Sequence, residues 1–331
     1  MNQLPKENIE PNEGSIIASI VEGTISDQQR DYKPGTLARR DVHSKSHGTF
    51  DDATFTILPN ILIGCQVGLF SQPGAVYPTT VRLSNGAPGV GPDVLPNVRG
   101  IAIKVRTVPG AKLLLGDEAS DCCDFLLANH PVSFHRHLED YPLIRELMAK
   151  GKVGEVLKRF KPEGRLLLKA VLKLVKNPLK VTYFSQTPYQ FGADRVVKYA
   201  LVPEPRGWLA SVVDFFSLPN LFDAAYLRHA AAKTLRKRSM KFTLCVQFQT
   251  VDDPIEDPSV EWRSPLVPLA TLTIPQRLVP LLESSGEALS FNPWRTLPEH
   301  RPLGWVNRVR EAVYRADFTW RTAQNAKKSA S

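Results

Sequence analysis

The 331-residue sequence contains few cysteines and no long apolar run. Its four cysteines are too few and too irregularly spaced for a disulfide framework, which indicates a reducing compartment. No segment reaches the roughly 18 consecutive apolar residues of a membrane-spanning helix, so none is predicted. The N-terminal segment, MNQLPKENIEPNEG, is polar and acidic and lacks the apolar stretch of a secretory signal. We therefore expect a cytoplasmic protein.

The signatures of common cofactor and metal sites are missing as well. The sequence has no GxGxxG after a strand, no P-loop, no HExxH and no CxxC pair, which argues against common nucleotide and zinc sites. The adjacent Cys122 and Cys123 are typical of a strand with one buried and one outward side chain, rather than of a redox pair.

Positive charge exceeds negative charge, with 42 Lys and Arg against 33 Asp and Glu. Eight basic residues and one acidic residue lie between Lys158 and Lys180, so most of the excess is local. We therefore expect no nucleic-acid partner. In the part from Arg165 to Lys180, cations recur at helical spacing among leucines and valines. This pattern is compatible with peripheral contact to an anionic membrane, or with a partly buried helix that has a solvated lysine face.

Short segments rich in β-branched and aromatic residues recur along the chain. They predict strands at 48–58, 81–84, 100–105, 125–128, 196–202, 241–250 and 269–274. Helical patterns cover about 141–179, with interruptions, and the chain from about 302 onward. Because strands rarely alternate with single helices, we expect an α+β fold with an antiparallel sheet or barrel. Residues 1–30 are expected to form an extended arm before a single domain at 31–331.

One face of the predicted C-terminal helix carries a chemically suggestive triplet. Arg310, Tyr314 and Arg321 are spaced by four and seven residues, which places them on the same side of a helix. A guanidinium one turn from a phenol favours the phenolate, which is a hard ligand for ferric iron, and tyrosine is a known haem ligand. By base rates alone, an aromatic residue on a basic helix is the commoner explanation.

Three segments in the same order resemble the catalase family of haem proteins. Arg40-Asp-Val-His43-Ser-Lys, followed by Gly48 and Phe50, resembles the distal-histidine segment. VRLS at 81–84, a Gly/Pro loop and VRGIAIK at 98–104 resemble the next segment, and FNP at 291–293 resembles a later one. The triplet at the C-terminal end resembles the proximal signature in both spacings. The likeness runs from about residue 36 onward and implies an antiparallel β-barrel catalase-like core with surrounding helices.

The resemblance also implies a cofactor and the residues that hold it. Tyr314 would be the proximal ligand of haem, expected to be haem b, and Arg310 would be the charge partner of that phenolate. Arg40, Arg82 and Arg321 match positions that bind the haem propionates, a suitable use of guanidinium groups.

The distal side of the haem is implied in the same way. His43 would be the acid–base residue, Ser84 would support its ring by a hydrogen bond, and Asn129 would orient the peroxide. In this chain Asn129 stands one residue closer to the following proline than in typical catalases. Three further residues match positions that line the haem: Val42, Phe134 and Tyr141.

The activity implied by the resemblance is cleavage of hydrogen peroxide or organic hydroperoxides, as in a catalase or a peroxidase acting in oxidative stress. Assembly as a homo-oligomer is a further expectation. One alternative is rearrangement of fatty-acid hydroperoxides, as in allene oxide synthases; these enzymes place Thr before the distal histidine, where this chain has Val42 as catalases do. Another alternative is a haem-binding protein without turnover.

Overall fold

Nine β-strands form one antiparallel sheet in the computed structural model, which describes residues 6–41, 43–205, 219–278, 281 and 286–329. In chain order they are β1 (Ser46–Ile57), β2 (Val76–Asn85), β3 (Arg99–Val105), β4 (Cys123–Ala128), β5 (Tyr183–Phe184), β6 (Tyr189–Phe191), β7 (Arg195–Pro203), β8 (Met240–Phe248) and β9 (Leu266–Ile274). Their order across the sheet is β5-β4-β3-β2-β1-β9-β8-β7-β6.

Pairing between β5 and β7 closes eight of these strands into a barrel. Tyr183 pairs with Leu201 and Phe184 with Ala200, so the sheet returns on itself, while β6 extends outward from β7. Alternation of side chains explains the core: along β8, Phe242 and Leu244 are fully buried and the intervening positions are more exposed. The predicted α+β fold with an antiparallel β-barrel core and surrounding helices is therefore confirmed.

Six α-helices surround the barrel within the described residues. They are α1 (Glu13–Asp31), α2 (Tyr141–Ala149), α3 (Val153–Arg159), α4 (Lys161–Val171), α5 (Tyr226–Leu235) and α6 (Trp305–Ser329). Helix α6 is the last element, and α1 packs along it through Ile20, which contacts Trp305, Val309 and Val313. These contacts fix the helix that carries Tyr314.

Two sequence predictions about helices were wrong. Residues 13–31 form helix α1 rather than an extended arm, because Ile20 and its apolar neighbours bury one helical face against α6. The basic segment 165–180 is helical only to Val171, and a short 3₁₀ turn follows at Pro178–Lys180. The division into an arm at 1–30 and a single domain at 31–331 stays a prediction. Within the described ranges, no helix is both long and apolar enough to cross a bilayer.

Candidate functional site

His43 is held in an unusual backbone conformation just before β1. Its φ is +58°, in the left-handed region that few residues with a Cβ adopt. Its N–H donates to the carbonyl of Gly86 at 3.1 Å, and its ring Nδ1 lies 3.1 Å from the carbonyl oxygen of Asn85. Because a carbonyl can only accept, Nδ1 carries the proton and Nε2 keeps a free lone pair.

The floor beneath the His43 ring is formed by β2 and β3. Ser84 Oγ lies 3.3 Å from Nδ1, within reach of a second, weaker hydrogen bond. A Cβ added to Gly100 would lie 3.0 Å from Nδ1 and 3.1 Å from Ser84 Oγ. Glycine at 100 therefore leaves the space in which the imidazole lies.

Enclosure keeps His43 neutral. Burial, and after it the guanidinium groups of Arg82 and Arg310, lower the pKa of His43 to about 3. At neutral pH the ring is therefore an unprotonated base with a fixed tautomer. The contribution from Arg310 also shows that helix α6 faces the ring.

Asn129 follows β4 and is buried beside β3. Its Oδ1 accepts from the N–H of Arg99 at 2.7 Å, and its own N–H donates to the Arg99 carbonyl at 2.9 Å. Its Nδ2 is buried and has no partner among the described residues. Since Arg99 precedes Gly100, the side chain of Asn129 lies next to the floor under His43, with a donor still available.

Three arginines from distant parts of the chain converge on the segment around Glu287. Arg82 donates to Glu287 Oε1 at 3.1 Å, and Arg40 lies 3.4 Å from Oε2. Arg321 donates to the carbonyl of Glu287 and, at 2.6 Å, to that of Leu289. Burial and the other two guanidinium groups lower the pKa of Arg40 to about 9. These contacts bring together the three arginines predicted from the sequence.

Arg82 also connects this arginine cluster to His43. It donates to the carbonyl of His43 at 2.8 Å and to that of Ser44 at 3.2 Å. Its Nε is buried without a partner among the described residues. The cluster therefore lies directly behind the backbone of the candidate acid–base residue.

Tyr314 and Arg310 lie one turn apart on α6, as their spacing predicts. Burial raises the pKa of Tyr314, and a hydrogen bond from Arg310 lowers it only in part. Arg310 therefore acts in the predicted direction, toward the phenolate, but burial outweighs its effect on the pKa of Tyr314. Arg310 also lies within 3.5 Å of the Ser185 carbonyl and 3.3 Å of Thr187 Oγ1, which fixes its direction.

Phe134 and Tyr141 stand on either side of a histidine that sequence reasoning did not select. The ring of His135 lies 3.9 Å from that of Phe134 and 4.5 Å from that of Tyr141, centroid to centroid. Burial and Arg310 lower the pKa of His135 to about 3. Tyr314 contributes to raising the pKa of Tyr141 to about 12, after the larger effect of burial. This aromatic group therefore belongs to the same site as Arg310 and Tyr314.

A buried polar network supports the Asn85 carbonyl that orients His43. Asn85 Oδ1 accepts from His47 Nε2 at 2.8 Å and from the guanidinium of Arg99. Asp93 lies 2.7 Å from the ammonium of Lys45 and accepts at 3.0 Å from the N–H of Leu227. His47 is fully buried because β1 turns it inward.

Three further observations concern the cysteines, Val42 and a cavity outside the candidate site. All four cysteines are free, Cys123 is buried while Cys122 is half-buried, and burial raises the pKa of the Cys123 thiol to about 12. Val42, predicted to line the haem, lies outside the described residues. A cavity of about 200 Å³ beside Lys198 and Trp262 is lined by none of the predicted site residues.

No protein-family model and no curated protein sequence matches this chain. Its structure nevertheless matches solved catalases. A bacterial catalase superposes with a TM-score of 0.63 at 17% identity, covering 92% of this chain and 60% of that chain. A fungal catalase gives 0.58 at 15%, covering 89% and 59%, and catalase A from Saccharomyces cerevisiae gives 0.59 at 13%, covering 98% and 67%. At these identities the likeness shows a catalase-like fold, and the chain spans about three-fifths of the length of the first two.

Proposed function

We propose that the protein is a haem-dependent hydroperoxidase of the catalase or peroxidase type. One observation carries the proposal: Arg310, one turn from Tyr314 on α6, lowers the pKa of Tyr314 and also that of the neutral His43. A candidate iron ligand and a candidate base with a fixed tautomer therefore face one another across a single site. The catalase-like fold and the resemblance of the three segments support the same function.

The residues of the site fit a haem. The guanidinium groups of Arg40, Arg82 and Arg321 converge on Glu287, and Asp317 lies 3.3 Å from Arg321, so three cations face two carboxylates and the cluster suits a further carboxylate, that of a propionate. The buried Nε of Arg82 and Nδ2 of Asn129 are donors without partners in the described structure. Tyr314 would be the iron ligand, because the positive charge of ferric iron favours the phenolate that Arg310 alone does not produce.

The chemistry divides between cofactor and protein. Bound haem, expected to be haem b, would supply the Lewis acidity and redox capacity that peroxide cleavage requires. His43 Nε2 would take the proton from the inner oxygen of the hydroperoxide and deliver it to the departing oxygen. Nδ1–H keeps its bond to the Asn85 carbonyl during this exchange. Asn129 Nδ2 would donate to the peroxide and orient it.

Hydrogen peroxide and organic hydroperoxides are both proposed as substrates, and fatty-acid hydroperoxides are a second candidate class. The observation that favours the second class is the wall beside His135. Phe134 packs into an apolar cluster with Ile144, Leu147 and Leu167, which joins the site to helices α2–α4. Such a wall suits an alkyl chain, so rearrangement of lipid hydroperoxides stays the alternative. A homo-oligomer and a cytoplasmic location stay predictions.

A haem titration followed by peroxide assays tests the proposal. We expect haem to bind with a Soret band typical of tyrosinate ligation, and Tyr314→Phe to lose that band and the tight binding. His43→Gln should keep haem and lose peroxide turnover by about 10²-fold or more. The control, His137→Gln, changes an exposed histidine and should leave both properties intact.

The outcomes separate the candidate functions. Oxygen release from hydrogen peroxide supports a catalase, and turnover that requires an organic reductant supports a peroxidase. Consumption of only a fatty-acid hydroperoxide, without oxygen release, supports rearrangement. Haem binding without consumption of any hydroperoxide would contradict the enzymatic proposal and leave a haem-binding protein.

A further inference from the structure

One outer surface of the helical layer combines exposed leucines with unpaired cations. Leu168 and Leu172 are 36% and 63% exposed, and Leu174 beyond the end of α4 is 50% exposed. Arg165, Lys169 and Lys173 are exposed as well, and they alternate with the leucines at helical spacing. We call these six residues the leucine–cation face.

The cations of this face have no ion-pair partner in the part of the chain that the structure describes. Within the described residues, no carboxylate forms an ion pair with Arg165, Lys169 or Lys173. Glu163, the acidic residue of α4, is buried on the opposite side of the helix. Because eight cations and one carboxylate lie between Lys158 and Lys180, this part of the surface carries a concentrated positive potential that an external anion would neutralise.

The arrangement differs from a site for another protein. The leucines do not line a groove; Leu168 projects from α4, Leu172 and Leu174 follow the end of that helix, and long cationic side chains are interleaved with them. Lysine and arginine stems can extend toward phosphate groups while the leucines between them enter the acyl boundary. This is the geometry of a helix lying in a membrane interface, with its axis parallel to the surface.

The buried side of the same helix reaches the candidate active site. Leu167 of α4 packs in the apolar cluster that includes Phe134, and Phe134 stacks on His135 beside Arg310. A membrane bound at the leucine–cation face would therefore lie one helix thickness, about 10 Å, from the apolar wall of the site.

We propose that the leucine–cation face binds the surface of membranes that contain anionic phospholipids. Docking of this face does not depend on haem. Supply of a lipid hydroperoxide from the bilayer to the wall at Phe134 does rest on the proposed function. The expected occupant is the lipid surface itself, with its phosphates on Arg165, Lys169 and Lys173.

Vesicle co-sedimentation of the full chain tests the proposal. We expect binding to vesicles of phosphatidylcholine with phosphatidylglycerol and little binding to phosphatidylcholine alone. The variant Arg165→Gln/Lys169→Gln/Lys173→Gln should weaken binding to anionic vesicles by on the order of 100-fold at low salt. Leu168→Ser/Leu172→Ser should weaken it as well, because less apolar area enters the interface.

Matched controls change equal numbers of exposed residues elsewhere. Lys233→Gln/Arg236→Gln/Lys237→Gln removes three cations near the end of α5, and Ile63→Ser/Leu115→Ser removes two exposed apolar side chains. Both controls should bind anionic vesicles as the wild type does. Equal loss in a control, equal binding to neutral vesicles, or binding to an acidic polypeptide but not to vesicles would overturn the proposal.

The same proteins distinguish this proposal from the proposed function. Vesicle binding is measured without haem, and turnover is measured on detergent-solubilised hydroperoxide without vesicles. Binding without turnover contradicts only the enzymatic function, whereas turnover without binding contradicts only the membrane surface. If both hold, the charge variant should lose turnover of hydroperoxide presented in anionic vesicles but keep it in detergent.

Discussion

The backbone of His43 has a φ of +58°, which costs a residue with a Cβ about 1–2 kcal/mol. Two hydrogen bonds, which His43 donates to the Asn85 and Gly86 carbonyls, offset that cost. Both carbonyls belong to the end of β2, whose side chains are locked by the buried network of Asn85, His47 and Arg99. The backbone conformation of the candidate base His43 is therefore fixed by its contacts with the surrounding protein.

Glu287 gives a prediction at the scale of one residue. In Glu287→Gln, the buried guanidinium groups of Arg40 and Arg82 lose their carboxylate, and breaking a buried ion pair in this way costs about 3–5 kcal/mol. We expect the free energy of unfolding of the haem-free protein to fall by about that amount. Bound propionates would replace the lost charge, so the loss should be smaller in the haem-loaded protein.

Urea unfolding of both forms measures this difference. The control Glu299→Gln changes an exposed carboxylate and should shift the free energy of unfolding by no more than about 0.5 kcal/mol. An equal loss with and without haem would argue against propionate binding by these arginines.

Sequence reasoning located most of the site but missed two of its members. The segments around His43, Ser84 and Tyr314 have recognisable order and spacing, and the structure brings them together. Glu287 contacts Arg82 across 205 positions of sequence, and no local pattern indicates such a pair. His135 was missed because no local sequence pattern marks it, and its enclosure depends on the folded positions of the rings of Phe134 and Tyr141.

At the scale of elements, long alternating strands were predictable and short ones were not. Strand β8 has nine residues and alternates buried and more exposed side chains from Met240 to Leu244, as its sequence predicts. Strand β5 has two residues and β6 has three, too few for any period to appear. Helix α1 was missed because its sequence is polar overall, and its contact with α6 is what buries its few apolar residues.

The contact between α1 and α6 leads to a prediction about haem binding. Ile20 is buried against Trp305, Val309 and Val313, so Ile20→Ala leaves a cavity and should lower the free energy of unfolding by about 2–4 kcal/mol. Because α6 carries Tyr314, we also expect weaker haem binding. Thermal unfolding and a haem titration measure the two effects.

A matched replacement tests whether packing is the cause. Ile9→Ala changes an isoleucine that is 63% exposed, and both properties should stay close to wild type. Loss of stability in Ile20→Ala with unchanged haem affinity would show that α1 does not position the ligand helix.

At the scale of the whole molecule, four histidines are held neutral by enclosure. Burial lowers the pKa of His43 and His135 to about 3 and that of His47 and His300 to about 4. The unfolded chain protonates these rings at about 6.5. Lowering the pH below 6.5 therefore favours the unfolded state, and the stabilisation they contribute is complete only above that pH.

We expect the free energy of unfolding to fall as the pH decreases from about 6.5 to 4, by about 1.4 kcal/mol per pH unit for each such histidine. Burial also raises the pKa of Asp41 to about 6, which offsets part of this slope because the folded state binds that proton first. Urea unfolding at a series of pH values measures the combined contribution of the histidines and Asp41 to the free energy of unfolding.

One histidine outside the site isolates the effect. His300→Gln keeps an acceptor for the N–H of Leu69. It should reduce the pH dependence of the free energy of unfolding by the contribution of one proton, about 1.4 kcal/mol per pH unit. His137→Gln, at an exposed position, should leave the slope as in the wild type. An unchanged slope in His300→Gln would contradict the assignment of acid sensitivity to the buried rings.

The start of helix α6 is held by residues from the opposite end of the chain. Glu7 accepts from the N–H of Gly304 at 2.9 Å, and Glu7 and Glu13 both bind the guanidinium of Arg308. During synthesis, about 300 residues must therefore emerge before these partners can meet. Because Tyr314 lies on the helix whose start these partners hold, the proposed function implies that haem would bind late, after the two ends of the chain have joined.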